Sequence, residues 1–252
     1  MSIALVSSAG FVSGYSPQTT GAIDTTGATL LVPACGSYQT NAGTWSDSKG
    51  NTFSVLFSPS GSADDDNVIL GYSVGSPTVG SGHTFTDVSC IYTFDSALAF
   101  SGVAAFDTYT RNANKTGSGP SSIQPGSITP AQADEVFIVI AYQIYGSVAL
   151  AIDSGFTVAY RIDGSPGGSS LIFAYLIASG SSSVNPTITI DTTGHVAVLM
   201  AAFTPSSGGG GSKYPGYQAP FGWHRNKEFS SSFKEKLFRE QVKNAPILNC
   251  AA

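Results

Sequence analysis

Gly71-Tyr-Ser-Val-Gly75 has the spacing of a hydrolase nucleophile, a serine two residues from a glycine on either side. That chemistry needs a strand, a tight turn and a helix behind the serine, so that the hydroxyl stands clear. Ser76-Pro-Thr-Val-Gly80 follows instead, and proline and glycine do not sustain a helix. His83 and His195 each follow a glycine at the start of an apolar segment. A Ser-His-Asp set can be assembled from them on paper. Neither has a neighbourhood that demands catalysis, and a partly buried, hydrogen-bonded ring is the plainer expectation.

Other chemistry is thinner. Asp64-Asp-Asp-Asn67 is the densest carboxylate cluster. It lacks the glycine and the distal glutamate of a calcium loop, and so reads as a solvated acidic turn. Glu135 is the only glutamate before the C-terminal arm, and no carboxylate pair stands out for glycoside hydrolysis. Cys35, Cys90 and Cys250 are odd in number and widely spaced, neither a disulfide framework nor a zinc site. Cys35 and Cys90 fall in strand-like segments, as buried thiols or as a pair. No phosphate loop, dinucleotide fingerprint or metal-spaced Cys/His cluster is present. The expectation is a protein with no catalytic residue, no cofactor and no metal. Trp45, Tyr38, Tyr72, Tyr109 and Tyr145 are candidates for stacking on a sugar if they face outward. Asn114-Lys-Thr116 is a glycosylation sequon, which carries meaning only on a secretory route.

The elements that must position these residues are strands. Of 252 residues only 11% are charged, 29 are glycine and 13 proline, and the usual helix formers are scarce. With 42% hydrophobic residues, the chain can still fill a core, which argues against disorder. Short apolar segments rich in Val, Ile, Phe, Tyr and Thr alternate with turn signals. Strands are predicted near 2–7, 27–35, 52–58, 67–73, 83–94, 97–106, 135–144, 155–162, 170–178, 185–190 and 195–204. The fold class expected is all-β, an antiparallel β-sandwich. Asp47-Ser-Lys-Gly-Asn51 predicts a turn between two strands. Val136-Phe-Ile-Val-Ile-Ala141 is apolar without alternation, so that strand is expected to be buried on both faces. Ile23-Asp-Thr-Thr-Gly27 recurs as Ile190-Asp-Thr-Thr-Gly194. Both copies predict an Asx-type turn leading into neighbouring core strands.

Residues 1–205 form the expected sandwich domain, residues 206–212 a Gly/Ser linker, natural or engineered, and residues 213–252 a C-terminal arm. Within the arm, a short helix is predicted near 233–244. Ser232 and Glu235 form its capping box, and Pro246 stops it. Phe233, Leu237, Phe238 and Val242 fall on one stripe of that helix. Residues 1–206 carry four basic and 13 acidic side chains, a net −9, whereas residues 207–252 carry seven basic and three acidic, a net +4. An acidic body has little affinity for nucleic acid, whose phosphates require Lys and Arg. No apolar run approaches the ~20 residues that span a bilayer, and the N-terminus has no basic region of a signal peptide. The arm instead suits a groove on a protein partner. Tyr214, Tyr217, Phe221, Trp223, Phe233, Leu237, Phe238 and Val242 would supply apolar contacts, and Arg225, Lys227 and Arg239 would face acidic surface. His224 belongs to the same anchoring stretch.

Ile23-Asp-Thr-Thr-Gly-Ala-Thr-Leu-Leu-Val32, Trp45-Ser-Asp-Ser-Lys-Gly-Asn-Thr52, Gly82-His-Thr-Phe85, Ala99-Phe-Ser-Gly102 and Ile128-Thr-Pro-Ala-Gln-Ala-Asp-Glu-Val136 mark most of residues 1–205. In these stretches the chain resembles a jelly-roll-like β-sandwich domain of bacteriophage virion proteins and of some secreted bacterial proteins. The resemblance implies a non-enzymatic particle component located in the virion, a capsid decoration (cement) protein or a tail or fibre part. It implies attachment to a major capsid or tail protein and assembly as a homo-oligomer, a trimer by expectation. It carries over no active-site residue. A carbohydrate-binding module, recognising a surface glycan, is the alternative function.

Overall fold

The computed structural model describes residues 2–38, 43–58, 66–88, 92–114, 121–144, 149–153, 155–165, 168–190 and 195–206. The first half contains β1 (Ala4–Tyr15), β2 (Leu30–Tyr38), β3 (Thr44–Asp47), β4 (Ser54–Ser58), β5 (Asp66–Val74), β6 (Phe85–Val88) and β7 (Tyr92–Ser101). The second contains β8 (Val103–Asn114), β9 (Ser122–Ile123), β10 (Val136–Ile144), β11 (Ala151–Ile152), β12 (Thr157–Ser165), β13 (Ser169–Ile177), β14 (Ile188–Thr189) and β15 (His195–Pro205). Among the described residues there is no helix.

Each half folds into one five-stranded antiparallel sheet, ordered β1-β7-β2-β5-β4 and β8-β15-β10-β13-β12. The two orders are the same wiring used twice. The registers agree as well: Leu30 lies opposite Phe100 and Val74, as Val136 lies opposite Phe203 and Ile177. Even the small outer layers correspond. β6 is held between β3 and the β1–β2 connection, through bridges Thr19↔Thr86 and Ile23↔His83. In the second half β14 is held between β11 and β9, with a further bridge Ile128↔Val184. The chain is therefore a tandem duplication of topology, jointed at Gly102.

The sheets pack face to face. Leu30, Val32, Phe94, Leu98 and Phe100 from one and Val136, Ile138, Ile140, Tyr142 and Phe203 from the other share the central core. Each such buried side chain stabilises the fold by roughly 1.5–3 kcal/mol. The alternate residues of β10, namely Phe137, Val139 and Ala141, point to a second apolar layer beneath β9, β11 and β14. This is the burial on both faces predicted for Val136–Ala141. A third layer, with Leu31, Cys35, Trp45, Ile69 and Phe85, lies between the first sheet and the β3–β6 cover. The seam between β1 and β12 is closed by Tyr160, whose hydroxyl donates to Ser8 Oγ at 3.0 Å and whose ring meets Phe11 edge-on. On the opposite side Arg111 donates to the Phe57 carbonyl.

Gly36 shows how tightly the sheets fit. A Cβ there would lie 2.6–2.7 Å from Tyr142 Cβ, Cγ and Cδ2. Gly36→Ala is expected to cost about 2 kcal/mol by overpacking, read as a lower urea midpoint with an unchanged slope.

The structure corrects several expectations. In a jelly roll the sheets are linked through paired Greek keys; here each sheet is drawn from one contiguous half of the chain. The strand predicted over 83–94 is two, β6 and β7, and the one over 97–106 is broken at Gly102. The short strands β3, β9 and β11 were not anticipated, nor was the polar extension of β8 to Asn114, which pairs with β15 along a sheet edge. The two Ile-Asp-Thr-Thr-Gly segments lead into β2 and β15, which belong to different sheets rather than being neighbours. The linker, the arm with all its partner-binding candidates, the 233–244 helix, Cys90, Cys250, Tyr145, Asp64 and Asp65 lie outside the described residues.

Candidate functional site

The polar groups capable of chemistry gather under the β3–β6 cover. Asp47 closes β3 and folds the following turn onto itself. Its Oδ1 accepts the N–H groups of Lys49 at 3.1 Å and Asn51 at 2.9 Å, and Asn51 Nδ2 donates to Oδ2 at 2.6 Å. Gly50, at φ 76°, supplies the left-handed step that this turn requires. This is the turn predicted from Asp47 to Asn51. Asn51 in turn accepts the Thr78 N–H and donates to the Thr78 carbonyl, drawing in the approach to β6.

His83 stands just ahead of β6. Its Nε2 lies 2.8 Å from Asp47 Oδ2 and its Nδ1 lies 2.8 Å from Thr25 Oγ1. Backbone bonds between His83 and Ile23, at 2.8 and 2.9 Å, hold the two segments in register. The ring stacks on Phe85, with centroids 4.5 Å apart. Asp24 prepares Thr25 for this contact. Its carboxylate accepts the Thr26 hydroxyl and N–H, which hold it below the usual carboxylate range, and the resulting turn aims Thr25 inward. For Asp47, burial acts to raise the pKa. The Asn51 side chain and backbone and the His83 ring outweigh it and hold the carboxyl below its ordinary value.

Thr25, His83 and Asp47 thus have the mutual distances of a hydroxyl-imidazole-carboxylate triad. Their surroundings differ from those of a reacting triad. Thr25 and His83 and the Asp47 side chain have no solvent exposure. Thr25 Oγ1 also accepts the Gly80 N–H at 3.0 Å and lies 3.2 Å from the Gly80 carbonyl. The arrangement acts as a clasp, binding the β1–β2 connection, the β3 turn and the β5–β6 connection. Ser73 takes no part in it; it lies within β5 opposite Leu31, not on a turn. His195 opens β15 in the other sheet, opposite Ile144.

A second polar group sits under the same cover. Asp87 on β6 and Asp95 on β7 are both fully buried. Asp87 Oδ1 accepts the Gln18 N–H, and Asp95 Oδ2 accepts the Thr93 hydroxyl at 2.6 Å. Asp87 Oδ2, Asp95 Oδ1 and Trp45 Nε1 have no hydrogen-bond partner. Burial first, then the neighbouring Asp87 charge, push Asp95 up to about 8 against the Thr93 hydrogen bond. An acid inside the apolar run Tyr92–Phe100 was the sequence signal for this pair.

Among the described residues the aromatic candidates are not assembled into one exposed platform. Trp45 is buried against Gly71, where a Cβ would come within 2.5 Å of its Cδ1. Tyr38 and Tyr72 are half-buried, with Tyr72 stacked on Phe106 at 4.9 Å. Tyr109 is 37% exposed, and Tyr15, which the sequence did not single out, is 73% exposed. An open polar groove of about 440 Å³ lies between the end of β8 and β9, lined by Asn112, Asn114, Ser122, Gln124 and Thr187. Asp66 begins β5 opposite Tyr38. Among the described residues no three His, Cys, Asp or Glu side chains converge as a metal site. Comparison with family models, curated proteins and solved structures finds no match in any of the three.

Proposed function

We propose that the chain is a non-enzymatic structural component of a bacteriophage particle, a capsid decoration or tail-associated protein. Its sandwich stands exposed and its C-terminal arm attaches it to a major capsid or tail protein. The observation that carries this reading is where the fold is complete. Every strand of both sheets lies between Ala4 and Pro205, and Ser206 N–H closes the last strand onto the Gly102 carbonyl at 2.7 Å. The described strands of both sheets all precede the last 46 residues, which carry a net +4 charge and Tyr, Trp and Phe side chains. Such a segment suits an acidic, partly apolar groove on a partner. A second support is the place of the residues that carry the resemblance. Asp24, Asp47 and His83 are bound into turns and the buried clasp, the work of a durable scaffold.

The test is a paired pull-down from particles, with the full chain and with residues 1–206. The expected result is that only the full chain retains an abundant particle protein, while 1–206 unfolds cooperatively with a midpoint within about 2 °C of the full chain. Equal retention by the truncated body overturns the arm's role. Retention by neither overturns the particle reading. A trimer is the expected assembly, checked by light scattering of the full chain.

One observation favours the second reading, a glycan-binding surface. The groove beside β8 presents amides and hydroxyls without a charged side chain, a lining that suits a neutral polyhydroxy chain. A glycan screen with no binding at millimolar sugar removes it.

A further inference from the structure

The duplicated wiring makes a direct comparison between the two covers. Asp95 lies opposite Cys35 on β2 and Val12 on β1. The register-equivalent residue of the second half is Val198, opposite Ala141 and Asn112, within an apolar layer. At this register position one cover therefore rests on a valine, whereas the other rests on a buried carboxyl. Two carboxylates cannot both ionise in such a place without a cation. The described cations are engaged elsewhere: Lys49 with the Ser81 carbonyl, Arg111 with the Phe57 carbonyl and Arg161 with Asp163. The groups around Asp95 are the Asp87 carboxyl from β6, the Thr93 hydroxyl from β7 itself, the Cys35 thiol from β2 and Val12 from β1, with the Trp45 indole opposite Asp87 on β3.

We propose that Asp95 is held beneath the β3–β6 cover as the neutral acid, and that losing its proton in alkaline solution places an unpaired charge there and releases the cover. Asp87 Oδ1 accepts the Gln18 N–H, whereas Asp95 Oδ1 has no partner. The sign follows from Asp95, raised in the folded chain from 3.8 to about 8. A carboxyl whose folded pKa lies above its unfolded value stabilises the fold fully below the unfolded value. That contribution is lost as pH climbs through about 8. Release bares Leu31, Ile69 and Phe85, the apolar face beneath this cover. The device works whether the chain decorates a particle or binds glycans.

The test is hydrogen exchange on the full chain at pH 6.5 and pH 9, expressed as protection factors so that the chemical rate cancels. The amides of Trp45–Asp47 and Phe85–Asp87 are expected to lose about tenfold or more in protection at pH 9, while those of Ile152 and Ile188 in the second cover change less than about twofold. In Asp95→Asn, which mimics the protonated acid, and in Asp95→Val, which copies Val198, the loss is expected to vanish. Equal loss in both covers, no loss in the first, or the same loss in a folded Asp95→Asn overturns the proposal. Should neither variant fold, the comparison of the two covers within the unmodified chain decides it alone.

Discussion

His83→Ala lowers the unfolding free energy by about 3–5 kcal/mol, the cost of removing one partner from a buried, hydrogen-bonded charge. In a domain of this size that corresponds to roughly 10 °C in thermal midpoint. Three losses coincide. Asp47 keeps a buried carboxylate, held below its ordinary pKa, without the ring at 2.8 Å. Thr25 Oγ1 loses its Nδ1 partner. Phe85 loses the ring stacked 4.5 Å from its own and borders a cavity. The measurement is chemical denaturation at pH 7 of His83→Ala beside Thr25→Val. The threonine replacement removes a single hydroxyl and is expected to cost about 1–2 kcal/mol. A loss below about 1 kcal/mol for His83→Ala would show that the clasp does not hold these three segments.

Gly102→Ala is the second large effect, expected at about 3 kcal/mol or more. The glycine sits at φ 75°, where an L-residue pays roughly 1–2 kcal/mol. The added Cβ would also lie 2.4 Å from the Ser2 carbonyl oxygen and 2.9 Å from its carbon. Relief requires moving Ser2, and with it Ile3, which is buried in the central core. The joint is further tied by Val103 N–H to Thr29 Oγ1 at 2.8 Å. Gly50→Ala separates the two causes. Gly50 has nearly the same φ, 76°, with nothing within 4 Å of the new Cβ, so only the backbone cost of about 1 kcal/mol remains. Matching losses for the two variants in urea unfolding would remove the steric argument at Gly102.

The long apolar strands were legible because burial on one or both faces writes itself into residue type. Val136–Ile144 and His195–Pro205 are examples. The Asp47–Asn51 turn was legible because its partners are two to four residues apart. The clasp was not, since Thr25 and His83 are 58 residues apart and no local pattern announces such a pairing. β8 escaped notice beyond its first residues because an exposed edge strand such as Phe106–Asn114 can be polar throughout. Trp45 read as a surface candidate because nothing around it in the chain is apolar. It is buried by contacts with Gly71 across layers. The duplication escaped because the halves share wiring and register rather than residues: Cys35 stands where the second half has Ala141, and Asp95 where it has Val198.

The position of β15 has a mechanical consequence. It is an inner strand of its sheet, laddered to β10 on one side and β8 on the other almost from end to end. Tension applied through the chain beyond Pro205 meets the Ser206–Gly102 bond first and then enters the sandwich along this strand, where the ladders to β10 and β8 share the load. A module pulled from that end is therefore gripped by a strand held on both sides, while the β3–β6 cover belongs to a separate sheet.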